Sequence, residues 1–154
     1  MKKRPKTITT WLLIVLQFFL GLGAVFGGGA LTLAPDGSLL RIPLSILKYG
    51  PFHTFLIPGL ILLVVLGIYP LIIAIFLISE RHFTLGKRLA IFRDKYWAWS
   101  HSLYIGFLLI GWITIEMFLI QAVAIGHLIY MFWALVILAL TLLPSVQHHY
   151  ARSL

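Results

Sequence analysis

The sequence predicts an all-α fold, namely a four-transmembrane-helix bundle with a short amphipathic interfacial segment between helices 1 and 2. The first observation behind this prediction is composition, because the 154 residues are 61% hydrophobic and only 10% charged, whereas soluble domains carry about 25% charged residues. The second is a series of four apolar runs, each near the roughly 20 residues that cross a bilayer. The third is the placement of the basic residues between these runs. Together they predict one membrane domain over residues 1–154.

The first predicted span covers residues 8–31 and follows a basic amino-terminal segment. Its uncharged run is longer than the roughly 7–15 residues of a signal-peptide core, so we expect a retained helix. Gly23 and Gly27, and likewise Ala24 and Gly28, are small residues four positions apart. Such pairs let two membrane helices approach closely. We expect them to pack against another helix of the same chain, and a dimer interface is the alternative.

Residues 34–50 form a loop between the first two spans. Residues 35–38 read Pro-Asp-Gly-Ser, a sequence typical of a turn. The residues after this turn separate apolar from polar side chains on a helical projection, with Leu40, Pro43, Leu44 and Leu47 on one face and Arg41, Ser45 and Lys48 on the other. The segment is too short to cross a bilayer, so we expect it to lie in the plane of the interface.

The remaining predicted spans cover residues 52–79, 99–121 and 128–143. Pro70 lies in the middle of the second span and is expected to bend it, because proline leaves a backbone carbonyl without its helical donor. Gln17, a polar residue in the first span, is expected to hydrogen-bond to a neighbouring helix.

A polar loop, residues 80–96, connects the second and third spans, and residues 145–154 form the tail. Four spans place both termini and this loop on the same side of the membrane. That side holds ten of the 12 lysines and arginines, and the other side holds only Arg41 and Lys48. The positive-inside rule therefore predicts that both termini, the loop and the tail are cytoplasmic. The ten residues are Lys2, Lys3, Arg4, Lys6, Arg81, Lys87, Arg88, Arg93, Lys95 and Arg152.

Half of these basic residues belong to the predicted cytoplasmic loop: Arg81, Lys87, Arg88, Arg93 and Lys95. We expect them to contact anionic lipids, since a basic residue near a charged leaflet contributes about 1 kcal/mol. The lipid bilayer is thus the first predicted partner. A homo-oligomer or a second membrane protein stays open as a further partner.

Glu116 is the one charged residue of the last two apolar runs, and ionisable groups inside membranes are rare and costly. Its predicted depth is near the outer interface, within reach of Arg41, Lys48, His53 and His127. One hypothesis is a structural ion pair in which the loop folds back and Arg41 or Lys48 compensates the carboxylate. The alternative is a protonatable site of a small proton-coupled transporter or a ligand-binding membrane protein.

The sequence argues against several other functions. There is no cysteine, which excludes disulfides, thiolate catalysis and cysteine metal sites. The six histidines do not follow a metal-ligand spacing such as H-E-x-x-H, and a G-x-S-x-G motif is missing, so we predict no metal site, no cofactor, no catalytic residues and no enzyme activity. The segregation of basic residues between apolar runs also argues against nucleic-acid binding.

Several short stretches carry a resemblance to a known group of proteins. Residues 43–47, 50–52 and 55–60, together with 111–113 and 142–146, resemble small bacterial four-helix integral membrane proteins that form a family without an assigned function. The similarity covers most of the chain in its layout. It implies four spans and a bacterial inner-membrane location, and it implies no activity.

The expected role follows from these observations. We predict a multi-pass inner-membrane protein that acts as a non-enzymatic structural, accessory or lipid-interacting component. A small proton-coupled transporter or ligand-binding protein that uses Glu116 is the alternative.

Overall fold

The computed structural model describes residues 5–151 and arranges four long helices as one bundle. The helices are α1 (Ile8–Leu33), α2 (Leu56–Ser79), α3 (Thr84–Leu89), α4 (Trp97–Ile120), α5 (Ile125–Leu142) and α6 (Pro144–His149), and two short 3₁₀ helices span Ser38–Leu40 and Leu44–Tyr49. The helices α1, α2, α4 and α5 are long and apolar enough to cross a membrane, which confirms the all-α class and the four spans. The basic residues Lys2, Lys3, Arg4 and Arg152 lie outside the described residues.

Three of the long helices begin at other positions than the sequence predicts. The helix α4 begins at Trp97 and not at residue 99, and local contacts explain the other two. The helix α2 begins at Leu56, later than predicted, because the backbone N–H of Phe55 donates to the carbonyl of Pro35 at 2.8 Å and ties this residue to the loop. The helix α5 begins at Ile125, earlier than predicted, because the ring of His127 accepts a backbone N–H at the helix start. Loop contacts and a side-chain cap therefore set these boundaries.

The helices α1 and α2 pack with their backbones in close contact. A Cβ on Gly67 would lie 3.0 Å from the backbone nitrogen of Val25, and a Cβ on Gly59 would lie 2.8 Å from the Cβ of Leu31. A Cβ on Gly28 would collide with the backbone nitrogen of Leu63. Glycines on both helices therefore permit this contact.

The predicted small-residue pairs divide between two surfaces. Ala24 is buried, and Gly28 lies in the contact with α2. Gly23 and Gly27 line a cavity between the long helices, which Ala24 also borders. The nearest atom to a Cβ on Gly23 would be the hydroxyl of Tyr130 at 3.9 Å, so this pair leaves space open and does not bring two backbones together.

The middle of α2 departs from α-helical geometry just before Pro70. Residues Leu62–Ile68 form π-helical turns, and the backbone N–H of Tyr69 donates to the carbonyl of Val64. Pro70 has no N–H to donate, and a wider turn is one way in which a helix accommodates that missing bond. The π-helical turns thus lie on the amino-terminal side of Pro70, the position at which the sequence predicts a bend.

The start of α1, the residues after α5 and the loop before α4 meet at one end of the bundle, which we call the basic end. The Tyr96 N–H donates to the Tyr150 carbonyl at 2.7 Å, and the indole N–H of Trp99 donates to the Thr141 carbonyl at 2.8 Å. Tyr150 is only 3% exposed. Residues 144–151 are therefore part of the packed fold at this end.

The loop between α1 and α2 covers the opposite end of the bundle. Gly37 has φ +77°, and any Cβ there would collide with the carbonyl oxygen of Ile42, which explains why this turn requires glycine. Leu47 is buried together with Leu31 and Phe55. The predicted amphipathic segment thus contains two 3₁₀ helices, and Leu47 provides its main buried contact.

We expect Gly28→Ala to destabilise the protein by about 1–3 kcal/mol, because the added methyl group has no space between α1 and α2. The matched control is Gly29→Ala, since a Cβ on Gly29 has no neighbour within 4 Å. Alanine there should be neutral or stabilising by up to about 1 kcal/mol. Thermal or denaturant unfolding in detergent measures both changes, and equal stability of the two variants would contradict the packing described.

Candidate functional site

Glu116 lies on α4, about one helical turn before its end at Ile120, and its side chain is 35% exposed. It faces a cavity of about 160 Å³ to which all four long helices contribute side chains or glycines. The other lining groups are mostly aliphatic, with Trp112 and Tyr130 as the aromatic members. The cavity, which we call the Glu116 cavity, thus combines one carboxylate with an apolar and aromatic wall.

His127 is the basic side chain nearest to this carboxylate. Its Nε2 lies 4.0 Å from a carboxylate oxygen of Glu116, which is too long for a hydrogen bond. Its Nδ1 accepts the backbone N–H of Ala124 at 2.9 Å. A ring nitrogen that accepts cannot carry a proton, so this geometry places the single proton on Nε2 and leaves the ring neutral. Glu116 therefore faces a neutral imidazole in this arrangement.

The predicted ion pair of Glu116 with Arg41 or Lys48 is not formed. Arg41 occupies a left-handed position with φ 55° at the end of the first 3₁₀ helix, and the Lys48 ammonium lies 4.5 Å from the centre of the Tyr49 ring. Both side chains are exposed. The loop folds on itself through contacts between its apolar residues, and the two cations therefore stay outside the bundle. His53 is exposed in the residues before α2, so of the four predicted partners only His127 comes close to Glu116.

The loop at the basic end forms a second candidate site. Lys87, Arg88, Arg93 and Lys95 line a pocket of about 370 Å³ against Trp97, which we call the basic pocket. Lys95 has an acidic partner, because its ammonium lies 3.4 Å from Asp94. Within residues 5–151, Lys87, Arg88 and Arg93 form no ion pair with an acidic side chain. The pocket therefore carries an excess of positive charge.

Arg81, the fifth predicted lipid contact, does not line this pocket. Its backbone carbonyl accepts the hydroxyl of Tyr96 at 2.8 Å and the indole N–H of Trp97 at 3.2 Å. Its observed role in the fold is thus to anchor the start of α4 through its backbone.

An apolar groove lies between α2 and α4, with a volume of about 800 Å³. The two helices touch mainly through the Tyr69–Ser79 half of α2 and separate towards the opposite end, which opens this α2–α4 groove. Its walls are formed by Ile61, Val65, Leu66, Tyr69, Tyr104, Phe107, Leu108, Gly111, Trp112 and Ile115. Leu66 and Trp112 also line the Glu116 cavity, so they form the wall between the groove and the cavity.

A run of aromatic side chains in ring contact with one another connects the basic pocket with the groove. Tyr104 lines the groove, and its hydroxyl donates to the carbonyl of Leu89 at 2.8 Å and accepts the N–H of Ile91 at 3.0 Å. Trp97, His101 and Tyr104 follow each other at helical spacing, so they share one face of α4. The pocket and the groove therefore lie on the same face of this helix.

His101 holds α3 against the two long helices. Its Nε2 lies 3.1 Å from the carbonyl oxygen of Gly86, and its Nδ1 lies 2.6 Å from the hydroxyl of Tyr69. A carbonyl oxygen can only accept, so Nε2 carries the proton and Nδ1 accepts the tyrosine hydroxyl. A Cβ on Gly86 would collide with the ring of Trp97, which explains how α3 approaches α4 so closely.

An ionic contact joins three parts of the chain at the basic end. A carboxylate oxygen of Glu80 lies 2.7 Å from the ammonium of Lys6 and 3.2 Å from Nε2 of His149. Burial alone would raise the pKa of Glu80, but the hydrogen bonds and charges of Lys6 and His149 outweigh it and hold the pKa below its usual value. The ionised carboxylate is therefore the form that stabilises this end of the fold.

Gln17 differs from its prediction. It is completely buried, and neither its amide nitrogen nor its amide oxygen has a hydrogen-bond partner within the described part of the chain. A buried amide without a partner costs free energy. The sequence singled out Gln17 because it is a polar residue in an apolar run. Only the packing shows that no neighbouring helix supplies a hydrogen-bond partner.

Comparisons with protein-family models, curated proteins and solved structures gave no match to this chain. Within residues 5–151, no group of three His, Asp or Glu side chains is placed to hold a metal ion. The features of this chain that can carry a function are therefore the Glu116 cavity, the basic pocket and the groove.

We expect Glu80→Gln to lower the stability at pH 7 by on the order of 1 kcal/mol, because the amide cannot replace the charge that faces Lys6. The pKa of this carboxyl is lowered in the folded protein, so its contribution is complete above the ordinary value of about 4.3 and is lost as the pH falls through the folded pKa. The difference between the two proteins should therefore disappear in acid.

Thermal unfolding in detergent, measured from pH 7 down to pH 3, checks this expectation. Asp94→Asn is the matched control, because Asp94 is 58% exposed and its contact with Lys95 is longer, at 3.4 Å. The control should change stability by only a few tenths of a kcal/mol at any pH. A loss in Glu80→Gln that persists unchanged at pH 3 would contradict an ionic origin.

Proposed function

We propose that the protein is a non-enzymatic multi-pass protein of the bacterial inner membrane that binds an anionic phospholipid of the cytoplasmic leaflet. The basic pocket receives the phosphate headgroup, and one acyl chain enters the α2–α4 groove. The observation that carries this proposal is the basic pocket, in which Lys87, Arg88 and Arg93 have no acidic partner among residues 5–151. The continuation of the same α4 face into an apolar groove supports a lipid over a soluble anion.

The distribution of charge supports the cytoplasmic assignment of the basic end. Lys6 and the basic residues of the loop before α4 lie at this end, whereas Arg41 and Lys48 belong to the loop at the opposite end. Basic residues concentrate on the cytoplasmic side of membrane proteins, where the leaflet carries anionic lipids. The pocket and its proposed ligand would then face each other at the same membrane surface.

The dimensions also suit a lipid. The distance along α4 from Trp97 to Gly111 is about 21 Å at 1.5 Å per residue, which is about two thirds of a hydrocarbon core of about 30 Å. A chain whose headgroup lies at the level of Trp97 would thus reach the middle of the groove. Each unpaired cation of the pocket contributes about 1 kcal/mol near a charged leaflet, so the three together provide a preference of roughly a hundredfold.

We expect the triple variant Lys87→Gln/Arg88→Gln/Arg93→Gln to lose its preference for phosphatidylglycerol over phosphatidylcholine by at least tenfold. These side chains are exposed, so the variant should fold normally. Native mass spectrometry of protein released from nanodiscs with equal amounts of the two lipids measures the retained adducts.

The matched control for charge is Arg41→Gln/Lys48→Gln, which removes exposed cations from the opposite end. This control should keep the preference of the unchanged protein. Equal loss in both variants would mean that overall charge governs lipid retention, and an unchanged triple variant would refute the proposed headgroup site.

We expect lipids brominated near the chain end to quench Trp112 more strongly when the brominated lipid is phosphatidylglycerol than when it is phosphatidylcholine. Gly111→Phe should reduce this difference at least twofold, because it fills the groove and a Cβ on Gly111 meets no neighbour within 4 Å. Gly29→Phe is the matched control, since Gly29 is equally free of neighbours and lies outside the groove. Trp112→Phe identifies the fluorescence that belongs to the groove, and a lipid difference that persists in this variant would contradict the assignment.

A further inference from the structure

We propose that the Glu116 cavity binds a small organic ammonium ion, with the carboxylate of Glu116 as its counter-ion and the rings of Trp112 and Tyr130 as its aromatic walls. This site lies towards the opposite end of the bundle from the basic pocket, and it does not depend on the lipid proposal. The proposal gives Glu116, the carboxylate within the apolar spans, a chemical role. Such a role is needed because the expected ion pair with Arg41 or Lys48 is not formed.

The charge of Glu116 is not compensated by a basic side chain of the loop between α1 and α2. The carboxylate has no hydrogen bond within the described residues, and its one ion-pair neighbour is His127 at 4.0 Å. The backbone N–H of Ala124 donates to Nδ1 of that ring. This hydrogen bond favours the neutral tautomer with its proton on Nε2. The exposed Arg41 and Lys48 form no pair with Glu116. An ionised carboxylate at this position therefore lacks a cation, and a ligand can provide it.

The walls of the cavity select the kind of cation. Trp112 and Tyr130 are the aromatic lining residues, and aliphatic side chains form most of the remaining surface. Aromatic faces attract organic cations and provide apolar contact for their alkyl groups. A metal ion would need several oxygen ligands, whereas Glu116 provides the one carboxylate among the lining residues. The lining thus favours an alkylammonium group over a bare metal ion.

The volume limits the size of the ligand. The cavity of about 160 Å³ corresponds to roughly five water molecules at about 30 Å³ each, and it is smaller than the 300–1,000 Å³ typical of pockets for drug-sized molecules. Gly23 and Gly27 create part of this space, because they present no side chain to it. The site therefore fits an ion of about the size of choline.

Binding of choline and of its neutral isostere 3,3-dimethylbutan-1-ol tests the proposal, since the two probes differ in charge and not in shape. Isothermal titration calorimetry uses the full chain in nanodiscs of phosphatidylglycerol, which contain no choline group. We expect choline to bind at least tenfold more tightly than the alcohol. Equal binding of the two probes, or no binding of choline, would overturn the proposal.

Two variants connect the binding to this cavity. Glu116→Gln keeps the shape of the side chain and should remove the preference for the charged probe, whereas Glu80→Gln, a carboxylate at the basic end, should retain it. Gly23→Val should weaken choline binding at least tenfold by filling the cavity, and its Cβ would lie 3.9 Å from the nearest atom, so the backbone contact is preserved. If Glu116→Gln does not fold, Gly23→Val alone decides, and tight choline binding by Gly23→Val refutes the site.

The source of the ammonium group is distinguished in a second titration. Nanodiscs that contain phosphatidylcholine present the same group on a lipid. Weaker apparent choline binding in these nanodiscs assigns the cavity to a lipid-borne ammonium, and unchanged binding assigns it to a free ion.

Discussion

The close contact between α1 and α2 is the constraint on which the rest of the bundle depends. Glycines at positions 28, 59 and 67 let the two backbones meet where any side chain would collide. In a bilayer, packing of this kind replaces the hydrophobic driving force, because lipid is as apolar as the helix surface. With α2 held against α1, and α5 packed against both α1 and α4, the helices α2 and α4 meet only in part. The groove and the Glu116 cavity are consequences of that arrangement.

The two ends of the bundle are closed by different chemistry. At the basic end, backbone bonds between Tyr96 and Tyr150 and the ionic contact of Glu80 with Lys6 and His149 join the chain ends to the loop before α4. At the opposite end, a small apolar cluster around Leu47 and Phe55 does the same for the loop between α1 and α2. Acidic and basic groups at the basic end leave an excess of cations in the pocket. Apolar closure at the opposite end leaves Glu116 without a cation from the loop.

The two proposed sites use this asymmetry in opposite senses. The basic pocket offers positive charge at a membrane surface, where an anionic headgroup is available. The Glu116 cavity offers one negative charge in an apolar and aromatic setting, which suits an organic cation. Trp112 and Leu66 line both the groove and the cavity. A ligand in one of these spaces therefore contacts residues that also line the other. The part of α2 that includes Leu66 forms π-helical turns, a geometry that is common at functional sites.

The sequence by itself determined the all-α class, the number of apolar helices and the residues that carry charge, because these depend on composition and on the length needed to cross a bilayer. It also singled out Glu116 and the basic residues of the loop before α4. The partners of these groups were decided by tertiary structure. The loop folds on Leu47 and keeps Arg41 and Lys48 away from Glu116, and the His127 ring is fixed by a backbone N–H at the start of α5. Such contacts join residues far apart in the chain or depend on one backbone geometry, so no local pattern of residue types encodes them.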